Sequence, residues 1–223
     1  MALINCPECK KEVSDKVDNC PNCGFPFKKS NKNIFIIILS LIIICGLSVG
    51  IYFYRNEIIK KNKIAKETEL KNNYLKNLST VIEKMNNGVI ISQEITSITH
   101  EVWYNSIYKK YSWRTNDYTN SSYGFNDFNI SLGNLSRDQN IIAKKNNVKN
   151  IQLEVDELMK LLINPPQDFN NIYIDLDKLY RVFSSYTEIA LNPSGSLTSF
   201  SSKLNDYDAE YVQSYNKMKI YIK

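Results

Sequence analysis

The hydrophobic residues divide the chain into three parts of different character. The first part contains four cysteines among scattered polar residues, and it is followed at 34–54 by an uncharged stretch made almost wholly of hydrocarbon side chains. From 56 to 223 the apolar residues recur at intervals of three or four, which is the period of a helix with one buried face. This pattern predicts a small N-terminal module, one apolar helix and a mainly helical body.

The body contains four stripes of apolar residues. They lie at 74–102, 148–162, 172–190 and 197–218. Proline-containing turn signals separate the last three stripes. Short connections of this kind join antiparallel neighbours, so the body is predicted to be a bundle of about four helices.

The uncharged stretch at 34–54 is long enough to cross a lipid bilayer as a helix. At ~1.5 Å per residue it spans close to the ~30 Å hydrocarbon core of a bilayer. Tyr52, Tyr54 and Arg55 lie at its end, where aromatic and basic residues anchor a membrane helix. A buried core helix is the alternative, but such helices are usually shorter and carry a polar face. A cleaved signal sequence would start nearer the N-terminus. The stretch therefore predicts a single-pass transmembrane helix.

Four cysteines at the N-terminus have the spacing of a metal site. Cys6, Cys9, Cys20 and Cys23 form two CPxC pairs. Each CxxC turn directs two sulfurs at one ion, and two such turns complete a tetrahedral shell with no open position. The spacing predicts one structural zinc ion. Iron bound by the same four thiolates and a pair of disulfides are the alternatives.

The second pair, with Gly24 directly after it, resembles the short zinc ribbons at the N-termini of many bacterial proteins. The first pair departs from that pattern, because Lys10 stands where a glycine is common. The order of ribbon and span resembles the zinc-ribbon membrane proteins of Gram-positive bacteria, many of which concern the cell envelope. The resemblance covers the ribbon and the span only. It implies zinc, and it implies no particular function for the body.

The turn residues Asn86, Asn87 and Gly88 interrupt the first stripe of the body and suggest a boundary there. The predicted parts are a zinc ribbon at 1–27, a basic linker at 28–33, a transmembrane helix at 34–54, a helical stalk at 55–90 and a helical bundle domain at 91–223.

Two signals disagree about the orientation in the membrane. More lysines and arginines follow the span than precede it, which favours a cytoplasmic C-terminus under the positive-inside rule. Zinc thiolates, however, need a reducing compartment, and a long C-terminal domain crosses a membrane largely regardless of its charge. We therefore expect a cell-membrane protein with a cytoplasmic N-terminus and an external C-terminal domain.

A stretch near 103–129 combines many aromatic residues with Asn, Ser, Thr and Asp. Aromatic faces beside amide and hydroxyl groups suit the binding of a glycan, a peptide or a protein. The candidate binding residues are Trp103, Tyr104, Tyr108, Tyr111 and Trp113. The alternative is that some of these rings cap the helical core while the rest of the stretch forms a solvated loop.

The sequence carries no recognisable catalytic constellation. It has one histidine, and it contains no nucleophile-elbow or phosphate-binding motif. Its net charge of +5 is too small for its length to favour nucleic acid as a partner. The expected function is that of a non-enzymatic, membrane-anchored adaptor that binds or senses an envelope polymer or a protein. An enzyme or inhibitor acting on envelope polymers is one alternative, and a membrane-tethered scaffold with a cytosolic helical domain is another.

Overall fold

The computed structural model of the protein describes residues 2–27 and 32–222. The chain divides into two compact units, Met1–Ile64 and Ala65–Lys223, and each is described by itself. The basic linker predicted at 28–33 lies largely outside the described residues.

The first unit begins with a two-stranded antiparallel sheet. Strand β1 (Leu3–Asn5) pairs with β2 (Glu12–Ser14), and Ile4 lies opposite Val13. Val13 is buried with Cys6 and Cys20, while Phe25 and Phe27 pack partly against them. The cysteines therefore form the core of this small module.

Helix α1 (Lys32–Tyr108) starts in the first unit and ends in the second. Among the described residues it is the one helix long and apolar enough to cross a membrane, and its most apolar window is wholly exposed. Within that window the hydroxyls of Ser40 and Ser48 donate to the carbonyl oxygens of Ile37 and Cys45, both at 2.8 Å. The two serine hydroxyls thus find their acceptors within the helix, as polar groups of a helix in lipid must.

The predicted span at 34–54 and the predicted helical stalk at 55–90 belong to one helix, α1, which is 77 residues long and extends far beyond one span. Between the apolar stretch and Tyr108 the sequence contains no proline, the residue that interrupts a helix most strongly. Its charged residues are good helix formers, and pairs such as Glu57 and Lys61, 3.2 Å apart, support an exposed helix.

The second unit is mainly helical, as predicted. After α1 come α2 (Asn116–Thr119), a hairpin of β3 (Asn120–Ser121) and β4 (Gly124–Phe125), α3 (Phe128–Ser136), α4 (Gln139–Leu162), a 3₁₀ turn (Gln167–Phe169), α5 (Asn170–Leu191) and α6 (Leu197–Met218). The described residues therefore contain six α-helices. The estimate of about four missed α2 and α3, because these short helices lie in a polar stretch without a clear apolar period.

The four longest helices of the described residues supply the main core of this unit. Its fully buried side chains include Ile82 of α1, Leu162 of α4, Phe183 of α5 and Met218 of α6. These residues belong to the four apolar stripes of the sequence. The stripes thus locate the helices that pack together.

The core begins earlier along α1 than the predicted boundary at 90/91. Tyr74 and Leu78, placed by the sequence in the stalk, are buried in the bundle. The helix also continues through Asn86, Asn87 and Gly88. The glycine has a packing role, because the absence of a side chain at Gly88 makes room for the Phe183 ring. At the other end α1 runs to Tyr108, so the first residues of the stretch at 103–129 are helical.

Candidate metal centre and aromatic surface

The two cysteine pairs form two turns with the same hydrogen bonds. In the first turn the Lys10 amide donates to the Cys6 carbonyl at 2.9 Å, and in the second the Gly24 amide donates to the Cys20 carbonyl at 2.8 Å. The amides of Cys6 and Cys20 in turn donate to the carbonyls five residues further on, at 3.0 and 2.8 Å. These local bonds set the direction of the sulfurs, so the spacing alone is enough to predict the site.

The four sulfurs are arranged for one tetrahedral ion. The Sγ atoms of Cys6 and Cys23 are 3.6 Å apart, those of Cys9 and Cys20 are 3.5 Å apart, and all four lie within 4.8 Å of one another. Metal–sulfur bonds of ~2.3 Å in a tetrahedron place the sulfurs ~3.8 Å apart, whereas a disulfide would bring two of them to ~2.05 Å. The site therefore fits a metal ion such as zinc.

The ionisation of the thiols also favours a cation between them. Burial opposes the thiolate of Cys20, but bonds from the backbone of Asn22 and Cys23 outweigh it and lower the pKa to about 6. The backbone of Phe25 favours a thiolate at Cys23, yet burial and the neighbouring sulfurs raise its pKa to about 12. Thiolates this close together repel one another, and a bound divalent cation would offset that repulsion. Because four thiolates fill the shell, such an ion would hold the two turns together and would leave no position for a substrate.

The structure distributes the five candidate aromatic residues between the core and the surface. Trp103 is 5% exposed and packs against Phe128 and Phe200, so it is a core residue and not a surface contact. The other four are exposed, and we call them the aromatic surface: Tyr104, Tyr108, Tyr111 and Trp113. Trp113 is 88% exposed, which is far more than a side chain of that size has when it serves packing.

Polar contacts hold residues 112–115, which include Trp113, against α1. Glu101 accepts a hydrogen bond from the Ser112 hydroxyl at 2.5 Å and lies 3.0 Å from the Arg114 guanidinium. The buried Asn105 side chain donates to the Thr115 hydroxyl at 2.9 Å. Trp113 stands between two residues that are both bound to Glu101, so its exposure comes from a fixed backbone.

Sequence reasoning did not single out Tyr123, which is fully exposed at the turn between β3 and β4. The sequence signal was available, because Ser121, Ser122 and Gly124 around it are typical turn residues. In the structure Gly124 adopts a positive φ of 113°. Turn chemistry at those positions places the intervening tyrosine at the tip of a hairpin.

No protein-family model and no solved structure matches this chain. An uncharacterised protein of Haemophilus influenzae is 49% identical to it over 35 residues, which are 16% of this chain and 46% of that protein. The chain thus covers about half the length of this curated relative. The likeness to zinc-ribbon membrane proteins is supported at a coarser level, by four clustered cysteines followed by one long apolar helix.

Proposed function

We propose that the chain is a membrane-anchored binding or sensing adaptor, with a structural zinc ribbon in the cytoplasm and an external helical domain that contacts an envelope polymer or a protein. The observation that carries this proposal is the aromatic surface. Trp113 and Tyr111 are 88% and 74% exposed, although the domain buries other large rings such as Phe200 and Tyr186 completely. Large rings held open to solvent beside polar groups are typical of interaction surfaces.

The membrane anchor rests on the exposed apolar part of α1. Side chains throughout 34–54 are exposed, and nearly all of them are hydrocarbon. An apolar surface of this size must be shielded from water, and the ~30 Å hydrocarbon core of a lipid bilayer matches the length of the stretch. The lipid bilayer is accordingly the first partner that we assign.

The proposed cytoplasmic position of the ribbon is supported by its chemistry. Thiolates bind zinc only while they remain reduced, and the cytosol keeps them so. Zinc is the metal we assign, because a closed shell of four thiolates is its usual structural site.

We propose a binding role and no enzymatic one. Asp175 is a buried carboxylate, and it accepts a hydrogen bond from Lys217 at 2.7 Å across two helices. That pairing is typical of a structural contact between α5 and α6. An enzyme acting on envelope polymers would instead need two carboxyl groups that converge on a cleft.

The second candidate is a membrane-tethered scaffold with its helical domain in the cytosol. One observation favours it: six basic residues follow the span closely. They are Arg55, Lys60, Lys61, Lys63, Lys66 and Lys71. Under the positive-inside rule this side would stay in the cytosol.

Protease treatment of intact and lysed cells separates the two candidates. For the external domain we expect digestion of residues beyond the span in intact cells, with the ribbon protected. Survival of the domain in intact cells together with its loss after lysis would establish the scaffold instead.

Site-directed crosslinking tests the binding surface. A photoreactive residue in place of Trp113, in native membranes, should give a discrete crosslinked product. The matched control replaces Leu153, which is 65% exposed on α4, and should give none. Equal products at both positions, or none at Trp113, would contradict the proposed role of the aromatic surface.

A further inference from the structure

A polar cleft of about 490 Å³ lies where α1, α5 and α6 meet in the second unit. Its lining includes Gln93 and His100 from α1, Tyr186 from α5, and Asn205 and Asp208 from α6. These residues are spread over three helices and more than a hundred positions of sequence, so no motif announces the cleft.

Asp208 is held in place by two donors on the same oxygen. The buried Tyr186 hydroxyl donates to its Oδ1 at 2.9 Å, and the Gln93 amide donates to the same atom at 3.0 Å. Burial and the Asp208 carboxylate both raise the pKa of Tyr186, so the phenol keeps its proton and remains a donor. These two hydrogen bonds fix the carboxylate. Both are made to Oδ1, and neither involves Oδ2.

Three other polar side chains of the cleft also have capacity for further hydrogen bonds. Among the described residues, no hydrogen bond from a protein group engages the side chains of Ser97, His100 or Asn205. An amide, a hydroxyl and an imidazole therefore line the same cleft as Asp208 and offer it further donors and acceptors. This is the complement that a ligand with several hydroxyl groups requires.

A row of aromatic rings leads out of the cleft along α1. The His100 ring stacks on Tyr104 with centroids 6.2 Å apart, and Tyr104 contacts Tyr108 with centroids 4.5 Å apart. Residues 100, 104 and 108 follow one face of the helix, and the two tyrosines are 40% and 56% exposed. The row thus extends from the polar cleft into the aromatic surface, to which Tyr104 and Tyr108 belong.

We infer that this cleft and its ring row bind a neutral glycan, whose hydroxyl and acetamido groups meet Asn205, His100 and Asp208 while a neighbouring sugar lies against Tyr104. The inference rests on the proposed function, since it names the ligand class of the same surface. Sugars combine many hydroxyl groups with apolar C–H faces, which is the mixture that this lining presents.

The charges of the lining select against other ligands. Among the described residues that line the cleft, Asp208 is the one carboxylate, and neither lysine nor arginine is present. An anionic polymer would be repelled by Asp208 without a compensating cation. A divalent cation would need several oxygen ligands, and one oxygen of the single carboxylate is already bonded twice.

Calorimetry on the full chain in lipid nanodiscs tests the inference. The probe is the β-linked tetrasaccharide of N-acetylglucosamine, and its anionic counterpart is a hyaluronan tetrasaccharide, in which carboxylates alternate with acetamido groups. We expect the neutral probe to bind and the anionic one to bind at least about tenfold more weakly. Replacement of Asp208 by Asn should weaken binding about tenfold through the loss of a charged acceptor.

Two further variants keep the result independent of folding. Asn205→Ala changes an exposed residue with no protein hydrogen bond and should also weaken binding severalfold. Asp206→Asn removes a neighbouring carboxylate that does not line the cleft, and it should bind as the unchanged chain does. Failure of the neutral probe to bind, equal binding of hyaluronan, or unchanged affinity in both Asn205→Ala and Asp208→Asn would overturn the inference.

The outcomes also separate this inference from the proposed function. If the tetrasaccharide does not bind while crosslinks from position 113 persist, the ligand class is wrong and the adaptor role stands. If the tetrasaccharide binds but protease treatment places the domain in the cytosol, the ligand class stands and the location is wrong.

Discussion

Lys10 and Gly24 adopt the same left-handed backbone conformation, with φ values of 59° and 77°, at equivalent positions of the two cysteine turns. Each follows the second cysteine of its pair, and each donates its amide to the carbonyl of the first. Glycine takes this conformation freely, whereas a residue with a Cβ is destabilised by about 1–2 kcal/mol. The first turn is therefore strained at Lys10, and the second is not.

Replacement of Lys10 by Gly should stabilise the metal-bound ribbon by about 1 kcal/mol, after the greater freedom of glycine in the unfolded chain is counted. Because metal binding and folding of such a module are coupled, zinc affinity should rise about fivefold. Competition with a chromophoric chelator at fixed pH measures this change.

Two controls isolate the backbone effect at this position. Lys10→Ala removes the same charge but keeps the Cβ, so it should give no gain. Gly24→Ala should lower zinc affinity by a similar factor, and solely through conformation, since a Cβ there would meet no atom within 4 Å. An equal gain from Lys10→Ala and Lys10→Gly would show that charge, not φ, is responsible.

The chain purified from membranes in a reducing buffer should carry one zinc ion per molecule. Cys9→Ser should lose it, because a hydroxyl is a poor substitute for one of the four thiolates, while Cys45→Ser should retain it, because Cys45 lies outside the cluster. Elemental analysis of the three proteins decides the matter. Zinc retained by Cys9→Ser, or disulfides found by mass spectrometry, would refute the assignment.

The cysteine cluster is predictable from sequence because it is local. Each cysteine turn is closed by bonds that reach no further than five residues, so the spacing of Cys6, Cys9, Cys20 and Cys23 already predicts that their sulfurs meet. The apolar stripes likewise locate α4, α5 and α6, because each stripe records the side of its helix that is buried.

Features that depend on contacts between residues far apart in the sequence could not be predicted from it. Trp103 has the composition of a binding residue, but Phe200, almost a hundred positions away, covers it. Gly88 looks like a break in the pattern, and only the position of Phe183 shows why a helix has glycine there. The polar cleft is hidden for the same reason, because Gln93 and Asp208 meet only when α1 and α6 pack.

Gly88→Ala should destabilise the helical domain although alanine is the better helix former. A Cβ at this position would lie 2.7 Å from Cε2 of Phe183 and 3.1 Å from Cγ2 of Ile151. Phe183 is 1% exposed and has little room to move, so overpacking should outweigh the helix propensity and lower stability by about 1–3 kcal/mol. Thermal unfolding followed by circular dichroism measures the loss.

Gly133→Ala is the matched control for this substitution. Gly133 also lies within a helix, but a Cβ there would meet nothing within 4 Å. Helix propensity should act alone and raise stability by about 0.5–1 kcal/mol. A gain from both variants would show that Phe183 yields easily and that the fit at Gly88 is loose.

The helical domain should lose stability in alkaline solution. Burial, with a smaller contribution from Tyr173, raises the pKa of Tyr74 to about 12, and burial also raises the pKa values of Tyr186 and Tyr211. The unfolded chain releases these protons near pH 10, before the folded chain does, so stability is unaffected below about pH 10 and falls as the pH rises toward 12. Each such tyrosine lowers it by up to about 1.4 kcal/mol per pH unit. Melting temperatures that stay constant from pH 9 to pH 11 would contradict this expectation.

Tyr74→Phe should stabilise the domain at neutral pH. The Tyr74 hydroxyl is buried, and no protein group among the described residues forms a hydrogen bond with it. A buried, unpaired hydroxyl costs about 1–3 kcal/mol, whereas the ring itself packs well, with its centroid 5.4 Å from that of Phe169. Removal of the oxygen should therefore raise the free energy of unfolding by about 1 kcal/mol and the melting temperature by about 2–4 °C.

Tyr186→Phe is the matched control: it deletes a hydroxyl that is bonded to Asp208 at 2.9 Å, so it should lower stability by about 1 kcal/mol. If both substitutions destabilise equally, the Tyr74 hydroxyl has a partner such as an ordered water, and its burial is not a cost to the fold.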